Sequence, residues 1–350
     1  MTSIATLPHR LSQISVDILY TGGTFGMVDH GDGLRPRRGL GSEIADTIAR
    51  FERENGIAVR FDYTELEQVI DSADAGPDTA RRIAARVRSG VAQRQPDGVV
   101  VVHGTDTMAY VGARMAFELR GIEVPVVLTG AQIPLGLPGS DARSNLALAL
   151  NGIAAQAVSG TFIAFGESLH PTVRASKRAC DDYDGFTTVR EYAPPPAPPR
   201  LPETRPRIDG SPVGLFTVFP GMHPDLLDTA LRHYWGGLVL ECYGSGTLPL
   251  HGSATVEAIR AATARGTPVV VITHCDSGTV DLDRYQPGRA VRDADAIGGG
   301  DMTREAALAK LGYLVDLGLS GSELRRWMTT NLLGELSNHR ATQPFPHTSN

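Results

Sequence analysis

Three short turns rich in hydroxyls and glycines hold the residues of this sequence best suited to nucleophilic chemistry. The first, Tyr20-Thr21-Gly22-Gly23-Thr24-Phe25-Gly26-Met27, follows an apolar stretch at 16–20 that reads as a strand. Paired glycines let the backbone adopt positive φ and let a ligand approach main-chain N–H groups that a Cβ would shield. Thr24 then stands at the open end of a strand, where α/β sheets place their chemistry, and is a candidate nucleophile. Alone, such a turn is ordinary strand-to-loop punctuation. The second turn, Gly104-Thr105-Asp106-Thr107-Met108, closes a β-branched run at 98–103, and the third, Thr129-Gly130-Ala131-Gln132, closes another strand at 124–128. By itself Thr105 or Asp106 is a cap for the helix expected at 108–119. Recurrence argues for more, because three successive strands gather hydroxyl, glycine and amide groups on one rim, where open α/β sheets bind ligands. Lys177 follows a fourth strand at 161–165. A lone lysine is ordinarily a solvated charge, and Asp106 is the carboxylate that would give it a role. His103, at the end of a buried strand, reads as a core histidine bonded to neighbouring backbone.

Apolar strand-like runs alternate with helical patterns, the rhythm of βαβ units and a parallel sheet. A helix is expected at 77–94, with Ile83, Val87 and Val91 on one face. Ser140 and Asp141 open another through about 157, and Asp301 to Glu305 cap a late helix at 306–317. The polar, glycine-rich stretch at 29–36 reads as a mobile loop and a candidate lid. Pro194-Pro195-Pro196-Ala197-Pro198-Pro199-Arg200-Leu201-Pro202 cannot donate to a sheet and marks an extended connector. The expected fold is α/β: a larger N-terminal domain over 1–193 with a mainly parallel sheet flanked by helices, a linker over 194–212, and a smaller C-terminal α/β domain over 213–350 with strands near 214–219, 237–243 and 268–273. The chain has 350 residues, 41% of them hydrophobic and 21% charged, which suits two packed domains. A net charge of -6 without a long basic run disfavours a nucleic-acid surface and favours a small-molecule substrate. Cys180, Cys242 and Cys275 form no paired framework and no CxxC spacing, which argues against disulfide staples and structural zinc; Cys275 reads as packing. No run at the start is apolar enough for a signal peptide or membrane helix, so a cytoplasmic protein is expected.

With these pieces in view, the chain resembles the asparaginase/glutaminase family, and more particularly its short cytoplasmic (type I) bacterial branch. The matching stretches are the Thr24 turn, Asp71-Ser72-Ala73-Asp74, His103-Gly104-Thr105-Asp106-Thr107-Met108-Ala109-Tyr110, Thr129-Gly130-Ala131-Gln132-Ile133-Pro134-Leu135, Ser176-Lys177 and Gly299-Gly300-Asp301-Met302-Thr303. They occur in the family's order over nearly the whole chain, and jointly they are highly specific. The resemblance implies dimers, or tetramers built of two dimers, with each active site between the N-terminal domain of one subunit and the C-terminal domain of its neighbour. It implies Thr24 as the first nucleophilic threonine, and Thr105 as the second, completed by Asp106 and Lys177. Ser72 and Asp106 match residues that hold a substrate's α-carboxylate and α-ammonium. Further substrate contacts fall on Gly23, Asp71, Ala73, Gly104, Thr105 and Ala131, with Thr247 reaching across the subunit interface. No metal or organic cofactor is implied. Amide hydrolysis needs an activated hydroxyl, donors for the developing oxyanion and a proton route to the departing ammonia, and this residue set offers all three.

The likeness breaks at two places. The family's flexible loop carries a tyrosine that supports the first threonine; aligned on Gly33 and Pro36, this chain has Leu34 there, and no tyrosine lies between 29 and 38. His30, a residue from elsewhere or water then takes its place, or Thr24 is less well activated. In Tyr243-Gly244-Ser245-Gly246-Thr247 the family usually places asparagine where Thr247 stands. Glu241 occupies a position where the type I branch can carry a basic residue tied to allosteric asparagine binding, so that regulation is not expected. The leading expectation is an asparagine amidohydrolase. The alternatives are an amidase for a different carboxamide, larger or lacking the free amino group, and a catalytically silent ligand-binding homologue. A subunit supplying ammonia for tRNA-dependent amidation would have a further domain ahead of the glycine turn, where this sequence has twenty residues before Thr21.

Overall fold

The computed structural model describes residues 11–156, 160–197, 199–203 and 210–337. Pro198 and residues 204–209 of the expected linker lie outside the described residues. The chain divides into two compact units, Met1–Thr188 and Val189–Asn350.

The first unit runs β1 (Gln13–Gly22), β2 (Met27–Asp29), β3 (Leu34–Pro36), α1 (Gly41–Asn55), β4 (Ala58–Ile70), α2 (Thr79–Arg94), β5 (Gly98–Val102), α3 (Met108–Glu118), β6 (Val126–Thr129), α4 (Ala142–Ala154), β7 (Thr161–Phe165), β8 (Ser168–Pro171), β9 (Ala175–Lys177) and β10 (Phe186–Thr188). Its main sheet has the order β4-β1-β5-β6-β7-β8, parallel throughout except for β8. The period of two along each strand decides which helices cover it. Val16, Ile18 and Tyr20 of β1, with Val100 and Val102 of β5, pack with Ile44 and Ile48 of α1 and Leu146 and Leu150 of α4. Leu19, Val99 and Val101 point the other way, toward Ile83 and Val87 of α2 and Met115 of α3. With both faces covered, β5 is apolar without alternation, as the run at 98–103 predicts.

The stretch expected as a mobile loop is instead a short antiparallel hairpin: β2 pairs with β3, Asp29 opposite Leu34. Gly31 and Gly33 supply positive φ at the tip, and the Asp29 side chain accepts from the Gly31 amide at 2.8 Å. The sequence reading assigns nothing to α1 or β4. The apolar stripe of α1 is only Ile44, Ile48 and Phe51 among charges, and β4 is an edge strand whose residues are mostly exposed or half-buried, so neither stands out in composition. Lys177 lies within β9 rather than after a strand, paired with Phe186 of β10.

The second unit runs β11 (Val213–Thr217), α5 (Pro224–His233), β12 (Gly237–Cys242), α6 (Ala254–Ala264), β13 (Val269–Thr273), α7 (Gln286–Arg292), β14 (Ile297–Gly298), α8 (Arg304–Asp316) and α9 (Gly321–Met328). β11 to β14 form a parallel sheet in chain order. Leu238, Leu240 and Val271 pack with Leu227, Leu231 and Ile259 of α5 and α6. Thr303 caps α8, its hydroxyl accepting from the Ala306 amide at 3.1 Å, as its place in the sequence predicts. No helix among the described residues is long and apolar enough to cross a membrane.

Candidate active site

The two glycines before Thr24 are required by what surrounds them. Gly22 and Gly23 have φ of 125° and 81°, in the region that L side chains avoid. A Cβ on Gly22 would strike the Ile70 backbone at the end of β4, and one on Gly23 would strike the Gly104 backbone. Gly104 in turn lies so close to the Ser72 side chain that a Cβ there would collide with it. The Gly23 amide donates to the Ile70 carbonyl at 3.0 Å. Side-chain-free backbone thus lets the ends of β1, β4 and β5 touch, and Thr24, Ser72 and Thr105 each follow or form one of those contacts. The buried Ser72 opens a single turn of 3₁₀ helix; the Asp71 carboxylate caps it by accepting from the Ala73 amide at 3.1 Å.

The Lys177 amine joins the second turn. Its Nζ donates to Thr105 Oγ1 at 2.8 Å and to Asp106 Oδ1 at 2.6 Å. The β9–β10 pairing that places it is anchored where the Phe186 ring meets Phe165 edge-on, with centroids 5.0 Å apart. The Lys177 side chain is 17% exposed and the Asp106 side chain 62%. An amine this close to a threonine oxygen can exchange a proton with that hydroxyl, while the carboxylate fixes the amine. The N-cap position of α3 is Thr107, with no side-chain cap bond, and not Thr105 or Asp106. Thr24 opens its own 3₁₀ turn and is partly exposed; among the described residues no side chain hydrogen-bonds its hydroxyl. Leu34, on β3, is 45% exposed and offers no polar group.

Beneath these turns lies a fully buried histidine. His103 Nδ1 is 2.6 Å from Thr21 Oγ1, which is also 3.0 Å from the Val102 carbonyl. His103 Nε2 is 3.5 Å from Thr107 Oγ1, and that hydroxyl donates to the Ser72 carbonyl at 2.8 Å. Burial pulls the imidazole down to about 4, so the ring is neutral at pH 7. The third turn plays a supporting part. The Ala131 side chain packs in the core, leaving only its main chain for a ligand. Gln132 Nε2 donates to the Asp182 carbonyl at 3.1 Å, tying this turn to the loop that links β9 to β10. Asp141 accepts from the Gln132 and Ile133 amides, each at 3.0 Å. Thr247 belongs to the second unit, where its main chain bridges to Tyr243. Thr21, Thr107 and Gln132 are absent from the expected site, although each lies within one of the stretches that carry the resemblance; adjacency to Thr24, Thr105 and Ala131 was the signal. Among the described residues no three His, Cys, Asp or Glu side chains gather to hold a metal ion.

Comparison with known proteins identifies the family of the chain. The family model described as "Asparaginase, N-terminal" matches residues 15–194, and "Glutaminase/Asparaginase C-terminal domain" matches residues 212–328. L-asparaginase 1 of Escherichia coli (strain K12) is 34% identical over 337 residues, spanning 92% of this chain and 98% of its own length. One component of the glutamyl-tRNA(Gln) amidotransferase of Aeropyrum pernix is 30% identical, spanning 97% of this chain and 83% of its own. The crystal structure of L-asparaginase I from Vibrio cholerae superposes with a TM-score of 0.79 at 30% identity, covering 93% of this chain and 99% of that one. Two domain matches in the right order and relatives aligned nearly end to end establish that the chain belongs to the asparaginase/glutaminase family.

Proposed function

We propose that the chain hydrolyses the side-chain amide of L-asparagine to L-aspartate and ammonia. Its class, an amidohydrolase of linear carbon–nitrogen bonds, follows from the family. The observation that carries the substrate reading is the joining of Thr105, Asp106 and Lys177 on the rim that also bears Thr24 and Ser72. Thr24 Oγ adds to the amide carbon, and its proton passes by way of water to the amide nitrogen. The carbon–nitrogen bond breaks, ammonia leaves with the proton it needs, and a β-aspartyl ester remains on Thr24. Water then adds to the ester with Lys177 and Thr105 handling its proton, and Thr24 is released. Main-chain N–H groups at the Thr105 turn suit the oxyanion. Ser72 and Asp106 hold the α-carboxylate and α-ammonium of the substrate. The exposed Asp106 carboxylate supports a site completed by a neighbouring copy, whose Thr247 would approach the amino end; the assembly proposed is a homodimer or homotetramer. Purified protein should release ammonia from millimolar asparagine, and a folded oligomer that releases none overturns the reading.

A second reading rests on Leu34. An aliphatic side chain exposed on the hairpin after Thr24 suits a carboxamide that is larger or lacks the free amino group. A panel of amides separates the two readings by kcat/KM, and asparagine ranking first disposes of the second.

A further inference from the structure

The buried ring beneath the site has only one proton to place, and the groups around it decide where. Neutral imidazole carries a hydrogen on one nitrogen and a lone pair on the other. Thr107 has one hydroxyl proton, and its 2.8 Å contact with the Ser72 carbonyl uses it. Its oxygen therefore faces His103 Nε2 as an acceptor, at 3.5 Å. If Nδ1 carried the hydrogen, the Nε2 lone pair would be sealed away from water opposite another acceptor, a loss of the kind buried polar groups avoid. With the hydrogen on Nε2 every link has a donor and an acceptor. Thr21 then gives its one hydroxyl proton to Nδ1 across 2.6 Å, in place of the longer 3.0 Å bond to the Val102 carbonyl.

The geometry points to His103 as a positioning residue for the proposed amidase reaction. Held as the Nε2–H tautomer, it is the middle link of a directed chain from Thr21 through His103 and Thr107 to the Ser72 carbonyl. Each link ends within three residues of a group that acts on substrate. Thr21 precedes Thr24 on the chain leaving β1, His103 and Thr107 flank Thr105 and Asp106, and the last acceptor is Ser72 itself. The turns meet through glycine backbone, Gly23 against Gly104 and Gly104 against the Ser72 side chain, and the ring supplies the rigid spacer. Its consequence is the distance between the nucleophile and the grip on the substrate's carboxylate. That distance governs how substrate sits more than it governs proton transfer at Thr105.

The inference rests on the amidase reading, and one measurement is independent of it. In the full-length wild-type chain labelled with ¹⁵N-histidine at pH 7, the His103 ring should show a protonated Nε2 and a lone pair on Nδ1; an Nδ1–H or doubly protonated ring overturns the chain. In kinetics with asparagine, His103→Leu should raise KM about tenfold with a smaller change in kcat, since displacements of about 1 Å already cost large factors. His103→Gln, which can accept from Thr21 and donate to Thr107, should recover most of that loss. An unchanged KM in His103→Leu, or equal loss in both variants, removes the positioning role. Should His103→Leu fail to fold, the Gln variant and the wild-type spectrum still decide. Wild-type protein that hydrolyses no amide defeats the amidase reading but leaves the ring's tautomer readable.

Discussion

Lys177 matters at the residue scale because its amine bonds two neighbours at once, and removing it strands both. Lys177→Met takes away the proton acceptor for Thr105 and the partner of Asp106, so kcat/KM for asparagine should fall about 10²–10⁴-fold. Because Thr105 and Lys177 act as one unit, the double variant Thr105→Val with Lys177→Met should be little worse than either single one. Steady-state ammonia release on the four proteins checks this, and full additivity would show that the groups act separately. His103 carries a second consequence, in stability. Its ordinary pKa of 6.5 applies in the unfolded chain, whereas burial holds the folded ring at about 4. Between those values the unfolded state binds a proton that the folded state refuses. Stability from this residue is thus intact above pH 6.5, falls as pH drops toward 4, and changes no further below. The total is about 3 kcal/mol. Urea midpoints from pH 7 to 4 should fall less steeply for His103→Gln than for wild type, and parallel curves would refute the assignment.

At the scale of elements, the segment that follows the hairpin bearing Leu34 is tied to β4 by one carboxylate. Glu65 of β4 accepts from Tyr63 Oη at 2.5 Å, the Gly39 amide at 2.7 Å, Arg38 Nε at 3.0 Å and the Leu40 amide at 3.3 Å. Desolvation works against its charge, but the Tyr63, Gly39, Arg38 and Leu40 donors prevail and hold the carboxyl below the usual carboxylate range. Glu65→Ala leaves two amides and a phenol without their acceptor and should destabilise the segment joining β3 to α1 by about 1–3 kcal/mol. Hydrogen exchange at Gly39 and Leu40 should quicken while the β5 amides are unchanged; equal protection in the variant would mean that other contacts hold the segment. None of this is visible in sequence. The glycines of the hairpin announce a turn, but the acceptor that ties down the segment after it comes from an edge strand whose polar residues resemble loop. By contrast β5 was legible, since five buried residues in a row have no other reading in an α/β chain.

For the whole molecule, the alternation of parallel strands with helices and the rim bearing Thr24 and Thr105 were legible, because parallel sheets put successive strand ends on one side, whereas the edge strand β4, the helix α1 and the short hairpins were not. Lys177 was legible as the partner of Asp106, but the β9–β10 hairpin that delivers it was not. Least legible are charges that the second unit buries completely. Lys310 of α8 and Glu335 are both 0% exposed and lie 2.6 Å apart. The amine also donates to the Met328 carbonyl at 3.0 Å and the Thr330 carbonyl at 2.6 Å, and the carboxylate accepts from the Leu332 and Leu333 amides. Burial lowers the proton affinity of Lys310, and Glu335 opposes that shift by bonding and attraction. The pair therefore pins the end of α9 and the turn beyond it to α8, with every donor and acceptor engaged. Lys310→Met leaves an uncompensated buried carboxylate and should cost about 3–5 kcal/mol. Adding Glu335→Gln removes the charge yet keeps an acceptor for the two amides, so the double variant should be more stable than Lys310→Met alone. Thermal midpoints of the full-length chain should then fall in the order wild type, double variant, Lys310→Met. If the double variant melts at or below the single one, the penalty comes from lost packing around the lysine stem and not from stranded charge.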